Sequence, residues 1–487
     1  MTRASGSVGV LRGSWGVLAC LVLACGRAPE PPSVVLVVLD TLRADAVSAY
    51  GAVEGTTPTL DALAAEGLLY RRALSPSPWT LPSHATLFTG TGIEVHGVGM
   101  RGRVSLPEDF LTLAERFQQA GYETAAFSEN MLVSDVFQVL QGFRHRRYTR
   151  IFKKGEGVPF HSRMTVKPAA EVRKWLEERP PGQPFFLFVN LFEPHTPYSV
   201  RDENPWVPEG ASGEELSRYA QKPERRLCDP ELTQRDFDIL KGLYLGDVHE
   251  ADRVLGRILA DVRKLGGAPR LITLVTSDHG ELFGERGLLG HEFNLRYGAL
   301  HVPLVVQGLD LPSGVIDTPV TLADVPATIL KLAGFEVPDD MQGRPLPMAP
   351  AQQGSGAPAR RRFFAAYSDS YQLDPDAWEG VVEFLDKDLP RRACGPDDKV
   401  FGGMAALIEY PLKYQWFERY PPELYDLSWD ADERFEQAGH QQGAAIRMAA
   451  HLEDFLGRAG LTGEDTSPVE SLDPEAVEAL RALGYSE

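Results

Sequence analysis

The stretch Val34-Val35-Leu36-Val37-Val38-Leu39-Asp40-Thr41 is six apolar residues, four of them β-branched, closed by a carboxylate and a hydroxyl. A strand half-exposed to water alternates polar and apolar residues, whereas this run is apolar on both faces, as in a parallel sheet covered by helices. Further runs of this kind follow at Thr124–Phe127, Phe185–Leu191, Leu271–Thr276 and Val302–Gln307. Between them lie helical stretches at Thr59–Gly67, Leu111–Ala120, Ala169–Glu178 and Glu250–Leu265. This alternation predicts an α/β fold: a large, mostly parallel sheet sandwiched by helices. Beyond Gly354-Ser355-Gly356-Ala357-Pro358 the texture loosens, and aromatic-rich segments such as Leu412-Lys413-Tyr414-Gln415-Trp416 predict a smaller C-terminal α+β subdomain.

With 487 residues, 43% hydrophobic and 24% charged, the chain can bury a large core. Its 68 acidic residues against 49 Lys and Arg give a net charge of -19, and no basic run offsets it, which argues against nucleic acid as a partner. Arg3 and Arg12 precede the apolar stretch Trp15–Cys25. This is the layout of an export signal, too short and wrongly flanked for a stable transmembrane helix. Val22-Leu23-Ala24-Cys25-Gly26 resembles a bacterial lipoprotein box. Cys25 is then the lipidated first residue of the mature chain, with Cys20 and an uncleaved apolar anchor as the alternatives. The expectation is an exported protein held in the bacterial cell envelope, periplasmic or at the cell surface, that meets membrane through its lipid anchor only. Cys228 and Cys394 lie far apart with no Cys-x-x-Cys spacing, which argues against a zinc or disulfide scaffold. The expected organisation is a signal peptide over 1–24, a Pro-rich tether over 25–33, a catalytic α/β domain over 34–350, the subdomain over 351–460, and a tail with a short helix over 461–487.

In open parallel sheets, ligands bind beyond the carboxyl ends of the strands. Strand 34–39 ends in Asp40-Thr41, strand 271–276 in Ser277-Asp278-His279-Gly280, and strand 185–191 leads to Glu193-Pro194-His195-Thr196-Pro197-Tyr198. A fourth element is the Pro-rich turn Ser75-Pro76-Ser77-Pro78-Trp79-Thr80-Leu81-Pro82-Ser83-His84. A helix starting near Pro82 would point its unpaired N–H groups at an anion beside Thr80. Asp40, Asp278 and His279 supply two oxygen ligands and an imidazole, and a metal held by them and Thr80 would turn that alcohol into a nucleophile. His195 and His291 suit contact with ester oxygens or protonation of a leaving group, and one of them could instead ligate a second metal. Arg43 is a candidate to steady the anion, or else an ion-pair partner of Asp40 or Asp45.

Seven segments, in order, resemble the sulfatase family of the alkaline phosphatase superfamily. They are Val37–Asp45, the Pro82–Gly90 turn with His96-Gly97, Glu193–Tyr198, Thr276–Glu281, Val302-Pro303-Leu304, Asp324–Thr328 and Glu423–Leu427. The resemblance implies an alkaline-phosphatase-like fold and a metal-dependent hydrolase of sulfate or phosphate esters. Its substrate would be a sulfated or phosphorylated small molecule or glycan. Family sulfatases mature a Cys or Ser to formylglycine, followed by x-Pro-x-Arg; the corresponding positions here are Thr80 and His84, and Thr cannot be so converted. Thr41 stands at the second acidic ligand, His279 at the usual Asn, and Glu129 and Asn130 replace a Lys and a His. His84 and Asn130 join Arg43 as anion-facing candidates. The Asp, Thr, Asp, His set resembles the single-metal site of Thr-nucleophile relatives such as the lipoteichoic acid synthases. One divalent ion is expected, Mn, Zn or Mg in preference to Ca, with room for a second. Transfer of the phospho group to an alcohol acceptor and non-catalytic binding of an anionic glycan are the alternatives.

Overall fold

Strand β1, Ser33–Leu39, is buried along its whole length and forms the middle of the fold. In the computed structural model, residues 30–52, 55–100, 103–149, 166–220, 231–291, 293–350, 361–368, 399 and 402–462 are described. The signal peptide, Cys25 and the other three cysteines, the loosened 351–360 segment and the tail helix lie outside them. Among the described residues, β1 belongs to an eight-stranded sheet with β2 (Leu68–Tyr70), β3 (Glu123–Ser128), β4 (His145–Tyr148), β5 (Phe185–Leu191), β6 (Leu271–Thr276), β7 (Leu304–Gly308) and β8 (Gly314–Ile316). The order across it is β8-β2-β7-β6-β1-β5-β3-β4. Neighbours from β6 to β4 run parallel, and β7 is antiparallel to both β6 and β2. The mostly parallel sheet is therefore as expected, with the antiparallel β7 its departure.

Alternation along β1 divides the interior into two cores, because successive side chains point to opposite faces. Val34, Leu36 and Val38 pack with α2 (Thr80–Thr89), α3 (Leu113–Gln119) and α6 (Asp324–Ala333). Val35, Val37 and Leu39 pack with α1 (Pro58–Glu66), α4 (Pro168–Glu178) and α5 (Gln234–Leu265). Each such side chain contributes roughly 1.5–3 kcal/mol relative to exposure. Helix α5 begins at Gln234, well before the expected Glu250, after a capping box in which Thr233 and Asp236 satisfy each other's backbone N–H. The expected strand 302–307 is divided at Pro303, whose nitrogen cannot donate to a ladder.

The C-terminal part is a separate antiparallel sheet: β9 (Phe363–Tyr367), β10 (Met404–Glu409), β11 (Leu412–Phe417) and β12 (Glu423–Asp426) in that order. Helix α7 (Gln442–Ala459) covers one face with Met448, Leu452 and Phe455. Among the described residues no helix is long and apolar enough to cross a membrane.

Candidate functional site

Parallel pairing of β1 with β5 and β6 puts their carboxyl ends at one edge of the sheet. Asp40 follows β1, Ser277-Asp278-His279 follow β6, and Asn130 follows β3, which is parallel to β5. Thr80 arrives from outside the sheet. It is the first residue of α2, after an extended Trp79, so the helix starts two residues before the expected Pro82. Thr80 itself therefore stands in the first turn, where backbone N–H groups lack intrahelical acceptors. Ser83 is turned away, bonding to Ser75 Oγ at 2.9 Å and to the Ser77 carbonyl at 3.0 Å.

Asp40, Thr80, Asp278 and His279 are all fully buried. Asp40 Oδ2 accepts hydrogen bonds from Asn130 (2.7 Å) and Asn190 (3.3 Å), while its Oδ1 is buried without a hydrogen-bond partner. Asp278 Oδ1 accepts from the backbone N–H groups of Thr41 (3.2 Å) and His279 (2.9 Å), and its Oδ2 likewise has no hydrogen-bond partner. His279 Nδ1 lies 3.0 Å from the Gly280 carbonyl, which assigns its proton there. The Nε2 lone pair is left facing Thr80 Oγ1 at 3.3 Å and Asp278 Oδ2 at 3.4 Å. One ligand atom each from Asp40, Asp278 and His279 lie within 4.8 Å of one another.

Buried polar atoms normally have partners, so two orphaned carboxylate oxygens and a bare imidazole lone pair converging on one point fit a divalent cation. Charge leads to the same conclusion. Burial, and then the neighbouring Asp278, push the Asp40 carboxyl well above the usual carboxylate range. Burial would raise Asp278 too, but His279, His84 and the two backbone N–H groups outweigh it and hold it below. Two buried carboxylates this close cannot both ionise without a positive charge between them.

His195 and His291 lie beside this cluster: the ring centroids of His279 and His291 are 4.4 Å apart, and those of His195 and His291 5.1 Å. Burial pushes both down to about 4, so both are neutral imidazoles near pH 7. His195 Nδ1 bonds the Thr196 carbonyl at 2.6 Å, and His291 Nδ1 bonds Glu281 Oε1 at 3.2 Å.

Each of the three anion-facing candidates has a partner within the protein. Arg43 forms a two-pronged pair with Asp45, both contacts at 2.7 Å, and also bonds Glu285 and the Glu281 carbonyl, so the Asp45 alternative is the one realised. His84 Nδ1 bonds the Thr80 carbonyl one turn back and lies 3.7 Å from Asp278 Oδ2, its ring lies against Phe88 and Phe188, and burial pushes its pKa down. Asn130 gives its amide N–H to Asp40 rather than to a ligand.

Three participants escaped the sequence reading. Asn190 was legible as the one polar residue inside the apolar run 185–191. Glu281, raised to about 7 mainly by burial, ends the Thr276–Glu281 segment but received no role there, and Tyr244, buried on α5, left no local signal.

The sequence profile of the Sulfatase family matches residues 32–335. The chain is 24% identical over 341 residues to an ulvan-active sulfatase of Formosa agariphila; that match spans 65% of this chain and 65% of the relative, just under two thirds of its length. It is 25% identical over 383 residues to an arylsulfatase of Clostridium perfringens, spanning 64% of this chain and 77% of that one. The crystal structure of a phosphonate monoester hydrolase of Agrobacterium radiobacter superposes with a TM-score of 0.65 at 22% identity, covering 88% of this chain and 96% of the other. With a family match that covers well over half of its length, the chain belongs to the sulfatase family.

Proposed function

We propose that the protein hydrolyses a sulfate or phosphate ester with Thr80 as nucleophile, in a site where Asp40, Thr80, Asp278 and His279 hold one divalent cation. The observation that carries this reading is the Thr80 hydroxyl, 3.3 Å from a His279 Nε2 that itself lies 3.4 Å from the unpartnered Asp278 Oδ2. When bound, the cation would supply Lewis acidity, making the Thr80 alcohol more acidic and offsetting negative charge on the ester oxygens.

The chain's own groups do the rest. Thr80 Oγ1 attacks in line, its bond to sulfur or phosphorus forms, and the bond from that atom to the alcohol oxygen breaks. The Thr80 proton passes to the neutral His195–His291 pair, whose Nδ1–H groups are committed to Thr196 and Glu281, and returns to the departing alcohol. Water then cleaves the threonine ester, restoring the hydroxyl and releasing sulfate or phosphate. Relatives that act on ulvan and aryl sulfates favour a sulfated glycan or aryl ester as the substrate class. The apolar amino terminus ending at Cys25 supports an exported, lipid-anchored protein of the cell envelope.

The test is metal analysis of the purified protein alongside parallel assays with a sulfate monoester, a phosphate monoester and a phosphate diester. Turnover of at least one ester, lost in Thr80→Ala together with a covalent adduct on the Thr80 peptide, supports the reading; unchanged turnover in Thr80→Ala overturns it. A second reading, binding without turnover, is favoured by the absence of a free cation among the described groups around Thr80. Affinity for an anionic glycan with no cleavage of any ester would select it.

A further inference from the structure

We propose that Tyr244 is a positioning residue: its hydroxyl holds the Thr41 turn in a left-handed form and thereby aims the Asp40 and Asp278 carboxylates at the cation. The inference rests on the metal-site reading above and assigns a role to a residue remote in sequence from every ligand.

Thr41 has φ 54°, the left-handed region, although it is β-branched and follows directly on Asp40. Asn or Asp tolerates that region by bonding its own backbone, and Gly does so by lacking a Cβ. Thr41 does neither: its Oγ1 is buried without a hydrogen-bond partner. The conformation must be imposed by its surroundings. Four backbone contacts impose it. The Thr41 N–H donates to Asp278 Oδ1 at 3.2 Å, and the Leu42 N–H donates to Ser277 Oγ at 2.8 Å. The Tyr244 hydroxyl supplies the other two, donating to the Thr41 carbonyl and accepting from the Arg43 N–H, both at 2.9 Å.

One phenol thus bridges two backbone groups two residues apart, closing the turn that begins at the strained Thr41. A phenylalanine would fill the same buried space on α5, so packing alone does not call for the hydroxyl. What the hydroxyl secures is the orientation of residue 41. If φ there relaxed to a negative value, the 41 N–H would swing off Asp278 Oδ1. The bond that leaves Asp278 Oδ2 to face the cluster would then be lost. Asp40, the preceding residue, would turn with the same peptide.

The experiment measures Mn²⁺ binding to the purified full-length chain by calorimetry and electron paramagnetic resonance, with Asp40→Asn as the reference for loss of a ligand. Tyr244→Phe is expected to weaken binding about 10-fold or more, the usual scale for a group that orients a ligand. Thr41→Gly takes a positive φ without strain, so in a Thr41→Gly background the Tyr244→Phe change should cost less than about threefold in affinity relative to Thr41→Gly alone. A merely structural role for Tyr244 would not be rescued by a glycine at position 41. Wild-type affinity in Tyr244→Phe, or the same loss from Tyr244→Phe in the Thr41→Gly background as in the wild type, overturns the clamp. If Tyr244→Phe cannot be purified alone, it is read in the Thr41→Gly background. Affinity there within about threefold of Thr41→Gly alone supports the clamp, and a larger loss or failure to fold there overturns it. Wild-type protein that does not bind Mn²⁺, or an Asp40→Asn protein that binds it unchanged, overturns the metal-site reading and the clamp together.

Discussion

Thr80 Oγ1 lies 3.3 Å from His279 Nε2, a contact between residues 199 positions apart that joins the first turn of α2 to the end of β6. The imidazole is oriented for it by the Gly280 carbonyl on its other nitrogen. This contact brings a hydroxyl to the imidazole whose ligand atom lies within 4.8 Å of one carboxylate oxygen each from Asp40 and Asp278, and the chemistry proposed for the chain follows from that convergence.

The hydroxyl itself is the first thing to test. Thr80→Ser keeps the nucleophilic oxygen and is expected to retain kcat/KM within about tenfold, whereas Thr80→Ala should lose on the order of 10³-fold or more. Steady-state kinetics on the best ester from the panel checks both, and an alanine variant within about threefold of wild type would remove Thr80 from the mechanism.

Asn130 donates to Asp40 at 2.7 Å, so its effect should show in metal affinity. Asn130→Ala is expected to weaken Mn²⁺ binding by about 10–100-fold while leaving KM unchanged at saturating metal. A raised KM with unchanged metal affinity would instead make Asn130 an anion contact.

Arg43 is engaged by Asp45, Glu285 and the Glu281 carbonyl, with its own side chain only 6% exposed. Removing it leaves Glu285 without its counter-charge in a mostly buried setting. Arg43→Ala should cost about 3 kcal/mol in denaturant unfolding with KM unaffected. A KM effect without loss of stability would restore Arg43 as an anion ligand.

Burial pushes the Glu129 carboxyl from 4.5 up to about 7, only partly opposed by the Phe192 N–H it accepts. A folded pKa above the unfolded one means that the stability associated with the protonated form is complete below pH 4.5. It is lost as pH rises through about 7. Glu129→Gln keeps an oxygen for Phe192 and removes the titration. The variant and wild type should match in stability near pH 4.5, and the variant should become more stable by up to about 3 kcal/mol above pH 7. Parallel unfolding curves across that range, with no widening gap, would refute the assignment.

Much of the sheet could be read from short segments. Apolar runs at 34–39, 185–191 and 271–276 specify strands buried on both faces, and their order in the chain with intervening helices predicts parallel neighbours. The start of α5 was harder to see because residues 234–249 mix charged and apolar positions, and the cap that begins the helix depends on Thr233 meeting Asp236. In the site, Asp40, Thr80, Asp278 and His279 were legible because each follows a recognisable strand end or turn. The Arg43–Asp45 pair was legible as one of two alternatives, whereas the engagement of Arg43 with Glu285 and of Asn130 with Asp40 was not, since each joins residues far apart in the chain.

By itself the sequence determined which segments become strands, which face of each is apolar, and which kinds of chemical group stand at their ends. These follow from period, propensity and turn chemistry, which act over a few residues. Only the tertiary structure decided that Asp40 leans on Asn130 and Asn190, that Arg43 also reaches Glu285, and that Tyr244 closes the Thr41–Arg43 turn. The direction of a side-chain lone pair is set by hydrogen bonds, and most of these join residues 90 to more than 200 positions apart. Such bonds exist only once strand register has brought their partners together.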